Sequence, residues 1–203
     1  MFYALEGIDG AGCGAQRKNL EVKFKEKDLA VSTLKFPYYG SPIGEVIHEF
    51  LHGERELSVE MQFLLYASQM IDEKEKIREA RKKEIIITDR YFASPLAYQG
   101  LRGFPLQSGL QFAEIFGLEI PDTTFFLDTP PQIAYARKLK EEGKEELDRN
   151  ESDKKFLVDV DKKYHELMRK NVLTKWVCID NTKTIDEVSE EIISFILKDQ
   201  EKM

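Results

Sequence analysis

The sequence predicts an α/β fold, a five-stranded parallel sheet flanked by helices in three layers. Three observations carry that reading. Short apolar, β-favouring runs recur five times along the 203 residues. Amphipathic segments long enough to be helices separate them. The runs are continuous rather than alternating, the pattern of strands covered on both faces, and ligands of such sheets bind beyond the carboxyl ends of the strands.

The first run, residues 2–5, leads into a glycine-rich loop and a helix over 15–27. A second strand is expected over 30–36, then helices over 43–51 and 59–82. The long helix has clear end signals: Ser58 suits an N-cap, Glu60 lies in the first turn, and Arg81, Lys82 and Lys83 stand where the helix dipole favours cations. A third strand over 85–88 is followed by a helix over 106–116 and a fourth strand over 123–127. Helices over 132–140 and 156–170, a last strand over 176–179 and a helix over 185–197 complete the alternation. No repeat interrupts it, and one domain spanning 1–203 is expected, with a charge-rich segment at about 138–155 as the one marked change in composition.

Composition excludes several function classes. The chain carries 37 acidic and 30 basic residues, a formal charge of −7, so neither a nucleic-acid polymer nor an anionic membrane is an expected partner. Any anionic ligand must be held locally. Two isolated cysteines, Cys13 and Cys178, give neither a disulfide framework nor a zinc ribbon and suit a reducing cytoplasm. The start MFYALEGIDG lacks the features of a signal peptide, and no apolar run approaches the ~20 residues that span a bilayer. A cytoplasmic protein is expected.

The first strand ends in Gly7-Ile8-Asp9-Gly10-Ala11-Gly12-Cys13-Gly14, and a helix follows at once. Such a loop points several N–H groups and the positive end of the helix dipole at an anion, and phosphate is the expected ligand. Two phosphate motifs compete. Residues 10–15 satisfy GxGxxG/A, but that dinucleotide pattern wants an acidic residue at the end of the second strand, where Lys35 and Phe36 stand. The Walker pattern GxxxxGK[ST] aligns over residues 7–14, but Cys13 replaces its lysine and Gly14 its hydroxyl residue.

The third strand separates them. Ile85-Ile86-Ile87-Thr88-Asp89 is an apolar strand ending in a carboxylate, as at the metal side of P-loop sites, and Arg90 follows. With Leu5-Glu6-Gly7 and the loop, Phe36-Pro37, Asp89-Arg90-Tyr91 with Ser94, Ala97-Tyr98-Gln99-Gly100, Pro121-Asp122, Leu127-Asp128 and Asp148-Arg149 with Glu151, the chain closely resembles the thymidylate kinase family from residue 2 to about 190. The resemblance implies the three-layer P-loop NTPase fold, ATP and Mg²⁺ as cofactors, dTMP or a related nucleoside monophosphate as acceptor, dTDP as product, and a homodimer.

By position, the resemblance assigns Gly7, Ile8, Asp9, Gly10, Ala11, Gly12, Cys13 and Gly14 to the ATP phosphates and Asp89 to the metal. It places Asp9, Arg90 and Arg149 in catalysis, with 138–155 as a basic lid. It gives the acceptor Phe36, Tyr66, Asp89, Arg90, Tyr91, Tyr98 and Gln99, with Tyr66 stacking on the base, and sets residues 180–183 beside adenine. The chain departs from the family at four places: Cys13, Gly14 followed by Ala15, the Tyr38-Tyr39 turn, and Met70, the last two where arginines are expected. Two further readings therefore stand beside dTMP kinase: a catalytically impaired nucleotide-binding relative, and a kinase for another monophosphate.

If the loop is active, another cation must serve it. Arg17, four residues past Cys13 on the same helix face, is the first candidate, with Arg137, Lys138, Lys140, Lys144 and Arg149 behind it. Cys13 reads either as a small filler or as a thiol activated at a helix N-terminus. Tyr66, with Phe63 and Met70 on one stripe, reads either as a base platform or as core. His48-Glu49-Phe50-Leu51-His52 matches HExxH, with Glu73 as a conceivable third zinc ligand, but an ordinary surface helix is expected there. His165 is expected to be solvated and Cys178 to be a buried small hydrophobe.

Overall fold

Phe2–Glu6 (β1) is the central strand, and the rest of the sheet is laid down around it. The computed structural model describes residues 1–140, 148–150 and 153–200. After β1 come Cys13–Glu26 (α1), Val31–Lys35 (β2), Pro42–Leu51 (α2), Val59–Ala80 (α3) and Ile85–Asp89 (β3). Ala93–Leu101 (α4), Leu106–Ile115 (α5), Thr123–Asp128 (β4), Pro131–Leu139 (α6), Lys154–Arg169 (α7), Lys175–Asp180 (β5) and Ile185–Gln200 (α8) follow.

The sheet order is β2-β3-β1-β4-β5 and every pairing is parallel, as the continuous apolar runs predict. The chain fills one side of β1 with β2 and β3 before crossing to β4 and β5, so a crevice opens at the carboxyl ends beside β1. Burial on both faces holds for β1 and β3 throughout and for β4 up to Leu127. It does not hold for β2 and β5, which are the sheet edges and carry exposed residues such as Lys35, Lys175 and Asp180.

The central layer packs as one core in which Phe2, Tyr3, Phe24, Phe125, Phe126 and Tyr164 are fully buried. A second, small cluster of Ile47, Phe50 and Leu51 seats α2 against Leu65 and Tyr66 of α3. Ser58 caps α3 by accepting the Met61 N–H at 3.3 Å. At its other end Arg81 pairs with Glu119 and Asp122, fastening the long helix beneath the sheet.

One helix is absent from the sequence reading. α4 contains Pro95 and Gly100, both poor in helix interiors, but Pro95 lies in the first turn, where no N–H is needed, and Gly100 in the last. Among the described residues no helix is long and apolar enough to cross a membrane.

Candidate functional site

A cleft of about 830 Å³ opens at the carboxyl ends of the strands, within the size range of small-ligand sites. Its floor is the loop from Ile8 to Gly14. Gly12 stands at the N-cap of α1 with φ 86°, and no side chain caps the helix, so the first N–H groups of α1 are left for a ligand. Gly10, at φ 85°, lies so close to α6 that a Cβ there would collide with the Ala134 carbonyl. Asn181, at the end of β5, donates to the carbonyl of Ala11 and to Thr129 Oγ1, tying the loop to the far edge of the sheet.

The ends of β1 and β3 supply the charged groups. Arg90 has a left-handed backbone, φ 63°, and its guanidinium donates to the Gly7 carbonyl at 2.7 Å and to Asp9 Oδ1 at 2.6 Å. Tyr98, from α4, donates its hydroxyl to Asp9 Oδ2 at 2.9 Å, and its ring lies under the Arg90 cation. Asp89 is 5% exposed, and its Oδ2 lies 3.1 Å from where a Cβ on Gly14 would stand. Burial pushes the Asp89 carboxyl upward, against the nearby positive charges of Arg90, Lys35 and Arg17.

Beneath these groups lies a network that the sequence reading does not contain. Glu6, fully buried, accepts the Tyr91 N–H at 2.8 Å, the Ser94 hydroxyl at 2.7 Å and the Tyr164 hydroxyl at 2.9 Å. Burial pushes its carboxyl up to about 7 despite these donors and the Arg90 charge. Ser94 and Tyr164 also receive Arg90 Nη1 at 3.3 Å each, so Glu6 braces the arginine from below. The available signal was a lone carboxylate directly after the apolar run that opens the chain.

A family model described as Thymidylate kinase matches residues 5–192. The chain belongs to the thymidylate kinase family. It is 33% identical to "Thymidylate kinase" of Chlorobaculum tepidum, covering 97% of this chain and 96% of that protein. The corresponding figures are 31%, 97% and 97% for "Thymidylate kinase" of Thermoanaerobacter sp. and 28%, 97% and 90% for "Thymidylate kinase" of Plasmodium falciparum.

Within this family member, the residues expected at the acceptor converge unevenly. Phe36, Tyr66, Asp89, Arg90, Tyr98 and Gln99 all line the cleft, as does Met70. Gln99 is buried, and its Oε1 has no hydrogen-bond partner among the described residues. Tyr66 lines the cleft while also packing on the α2 cluster. Tyr91 reaches the cleft, but its ring is core, edge-on to Phe2 and Phe36. The charges that bear on its hydroxyl are those of Glu119 and Arg81, remote from the phosphate loop. Gln69 holds the turn after Pro37 by accepting the Tyr38 N–H at 3.0 Å and donating to the Tyr38 carbonyl at 2.6 Å.

The replacement cations fall differently from the expectation. Arg17 does not line the cleft: the packing of α1 turns it to β2, where it donates to Thr33 Oγ1 at 2.8 Å and pairs with Glu21. Arg149 stacks over Phe50 and donates to both oxygens of Glu56, also outside the cleft lining. Arg137 and Lys138 do line it, Arg137 donating to the Asn181 carbonyl at 3.0 Å. Lys144 and Glu151, with the rest of 141–147 and 151–152 in the expected lid at 138–155, lie outside the described residues.

Of its two readings Cys13 takes the filler, and three further expectations are corrected. Cys13 is 4% exposed, and burial pushes its thiol well above the usual range against the Arg90 charge, which favours the small-filler reading over the activated thiol. His48 and His52 stack their rings 3.9 Å apart instead of converging on an ion, while Glu49 pairs with Arg55 and Glu73 with Lys76. Both histidines nonetheless line the cleft, so α2 is more than a surface helix. His165 faces Asp128 at 3.4 Å and Asp161 at 3.8 Å instead of standing free in solvent. Cys178 is exposed, because β5 is an edge strand.

Proposed function

We propose that this protein transfers the γ-phosphoryl group of ATP to the 5′-phosphate of dTMP, giving dTDP and ADP. The observation that carries the reading is the convergence, in one cleft, of an uncapped helix N-terminus behind the glycine loop with Asp9, Asp89, Arg90 and Tyr98. Phosphoryl transfer asks for positioning and charge neutralisation more than for a nucleophile, and these groups provide both. The bond from the γ-phosphorus to the bridging oxygen of ADP breaks as a bond to an acceptor phosphate oxygen forms.

The loop N–H groups would cradle the donor phosphates. Arg90, anchored by Asp9 and Gly7, would face the acceptor phosphate, and Phe36, Tyr66 and Gln99 would enclose the base. Asp89 suits Mg²⁺: its carboxylate is buried at the cleft and accepts no hydrogen bond among the described residues. A bound Mg²⁺ would neutralise phosphate charge; the expected hydroxyl ligand is missing at Gly14. Tyr98 seals Asp9 from the other side, helping to exclude water from the transfer. A cytoplasmic homodimer is part of the same proposal, by family likeness.

A second reading, nucleotide binding without turnover, is favoured by one observation: the loop presents Cys13 and Gly14 where lysine and a hydroxyl residue are expected. Losing one transition-state donor costs about 2.7–4 kcal/mol, or roughly a hundredfold to a thousandfold in rate. A coupled ADP-release assay with ATP, Mg²⁺ and dTMP, dUMP, UMP, CMP or AMP separates the readings. Turnover fastest with dTMP supports the proposal; binding of ATP without turnover on any acceptor supports the second reading.

A further inference from the structure

The loop has lost its own cation, and the cations that line the cleft are mostly committed elsewhere. Arg90 serves Gly7 and Asp9, Arg137 serves the Asn181 carbonyl, Lys183 pairs with Glu191, and Lys138 is not free. Lys35 is different. It lines the cleft from the last position of β2, is exposed, and makes no hydrogen bond or ion pair among the described residues.

Its placement is fixed by the sheet. Lys35 is in register with Asp89 across the β2–β3 pair, and register partners in parallel strands project to the same face. That face carries the start of α1, because Asp89 Oδ2 lies against Gly14. Thr33, two residues before Lys35 and so on the same face, is the partner of Arg17 from α1. The Lys35 charge already acts on Asp89. β3 separates β2 from β1, but the approach of Asp89 Oδ2 to Gly14 puts the start of α1 over β3, one strand spacing of about 4.8 Å from β2, a gap that a lysine's four-carbon stem crosses readily. Cys13 fills little of the space a lysine would take, and Gly14 fills less.

We propose that Lys35 supplies, from the edge strand β2 beyond β3, the cation that the glycine loop lacks, its ammonium donating to the β- and γ-phosphoryl oxygens of a bound nucleoside triphosphate. The assignment rests on the phosphotransferase reading above and adds its missing charge. Lys35 then neutralises the oxygens on which negative charge accumulates during transfer.

The test is Lys35→Met, which keeps the stem and removes the charge, alongside Lys35→Arg. Calorimetry with a non-hydrolysable ATP analogue and with AMP, without acceptor, accompanies turnover measurements with dTMP. Lys35→Met is expected to weaken analogue binding by at least about tenfold, to leave AMP binding within about twofold, and to cut kcat by roughly a hundredfold or more, with Lys35→Arg recovering much of each loss. Analogue binding within about twofold of the parent overturns the proposal, even if turnover falls, since Lys35 would then act only through Asp89. If the parent protein phosphorylates no monophosphate, the phosphotransferase reading fails by itself, and the analogue-against-AMP comparison still decides whether Lys35 holds the outer phosphates.

Discussion

Arg90 and Asp9 are joined at 2.6 Å across the mouth of the phosphate loop, the arginine from the end of β3 and the aspartate from the loop after β1. Both oxygens of Asp9 are occupied, one by Arg90 and the other by Tyr98, and Arg90 is only 16% exposed at its side chain. The pair is therefore a mostly desolvated unit, with both Asp9 oxygens and both Arg90 Nη atoms engaged, that fixes the loop before any ligand arrives.

Removing one partner leaves the other charge buried and unmatched. Arg90→Ala is expected to destabilise the fold by about 3–5 kcal/mol and to abolish turnover. The double variant with Asp9→Asn should lose less stability than the sum of the two single variants, because the pair acts as one unit. Urea unfolding of the four proteins measures the coupling.

Glu6 gives a pH dependence whose sign is determined. Its folded-state value, about 7, lies above the ordinary 4.5, so the native state binds the proton more tightly than the unfolded chain does. The stabilisation is complete below about pH 4.5 and is lost as the pH rises to about 7, a change of about 3 kcal/mol. Denaturant midpoints measured across this window should fall with rising pH in the parent protein and fall much less in Glu6→Gln.

The two thiols should differ in access. Both thiols are raised, but Cys178 is exposed and Cys13 is buried, so an alkylating reagent at pH 8 should label Cys178 first. Mass spectrometry is expected to find Cys13 unmodified until the protein is unfolded, and equal labelling of both in the native state would contradict the buried placement.

Gly10 lies where backbone meets backbone. Gly10→Ala must accommodate both a left-handed φ and a collision with the Ala134 carbonyl. The conformation alone costs an alanine about 1–2 kcal/mol, and the collision adds to it. A lowered Tm together with weakened triphosphate binding is expected, since moving the loop off α6 disturbs the N–H groups that face the cleft.

How much of this was legible in the sequence depends on what encodes each feature. Strands β1, β3 and β4 were plain because burial on both faces leaves an apolar run, and Asp89 and Arg90 were plain because they end such a run. α4 was missed because its proline and glycine depress helix propensity, although both sit in terminal turns that tolerate them. Arg17 was misplaced because spacing along a helix gives its face but not the rotation of that face on the sheet, which here turns it to Thr33. Lys35 stands at the end of the second strand in the sequence as well, but only the register against Asp89 shows which face of the sheet it projects from. Glu6 was quoted as part of a motif, but its partners Ser94 and Tyr164 are 88 and 158 residues away.

The central claim is that a cleft with an altered phosphate loop still transfers a phosphoryl group between nucleotides. The most direct measurement follows the label from [γ-³²P]ATP in the presence of Mg²⁺ and dTMP, with products separated by chromatography. The account predicts that the label appears in dTDP, with ADP formed in equal amount. Label remaining in ATP, under conditions where calorimetry shows both nucleotides bound, would contradict it.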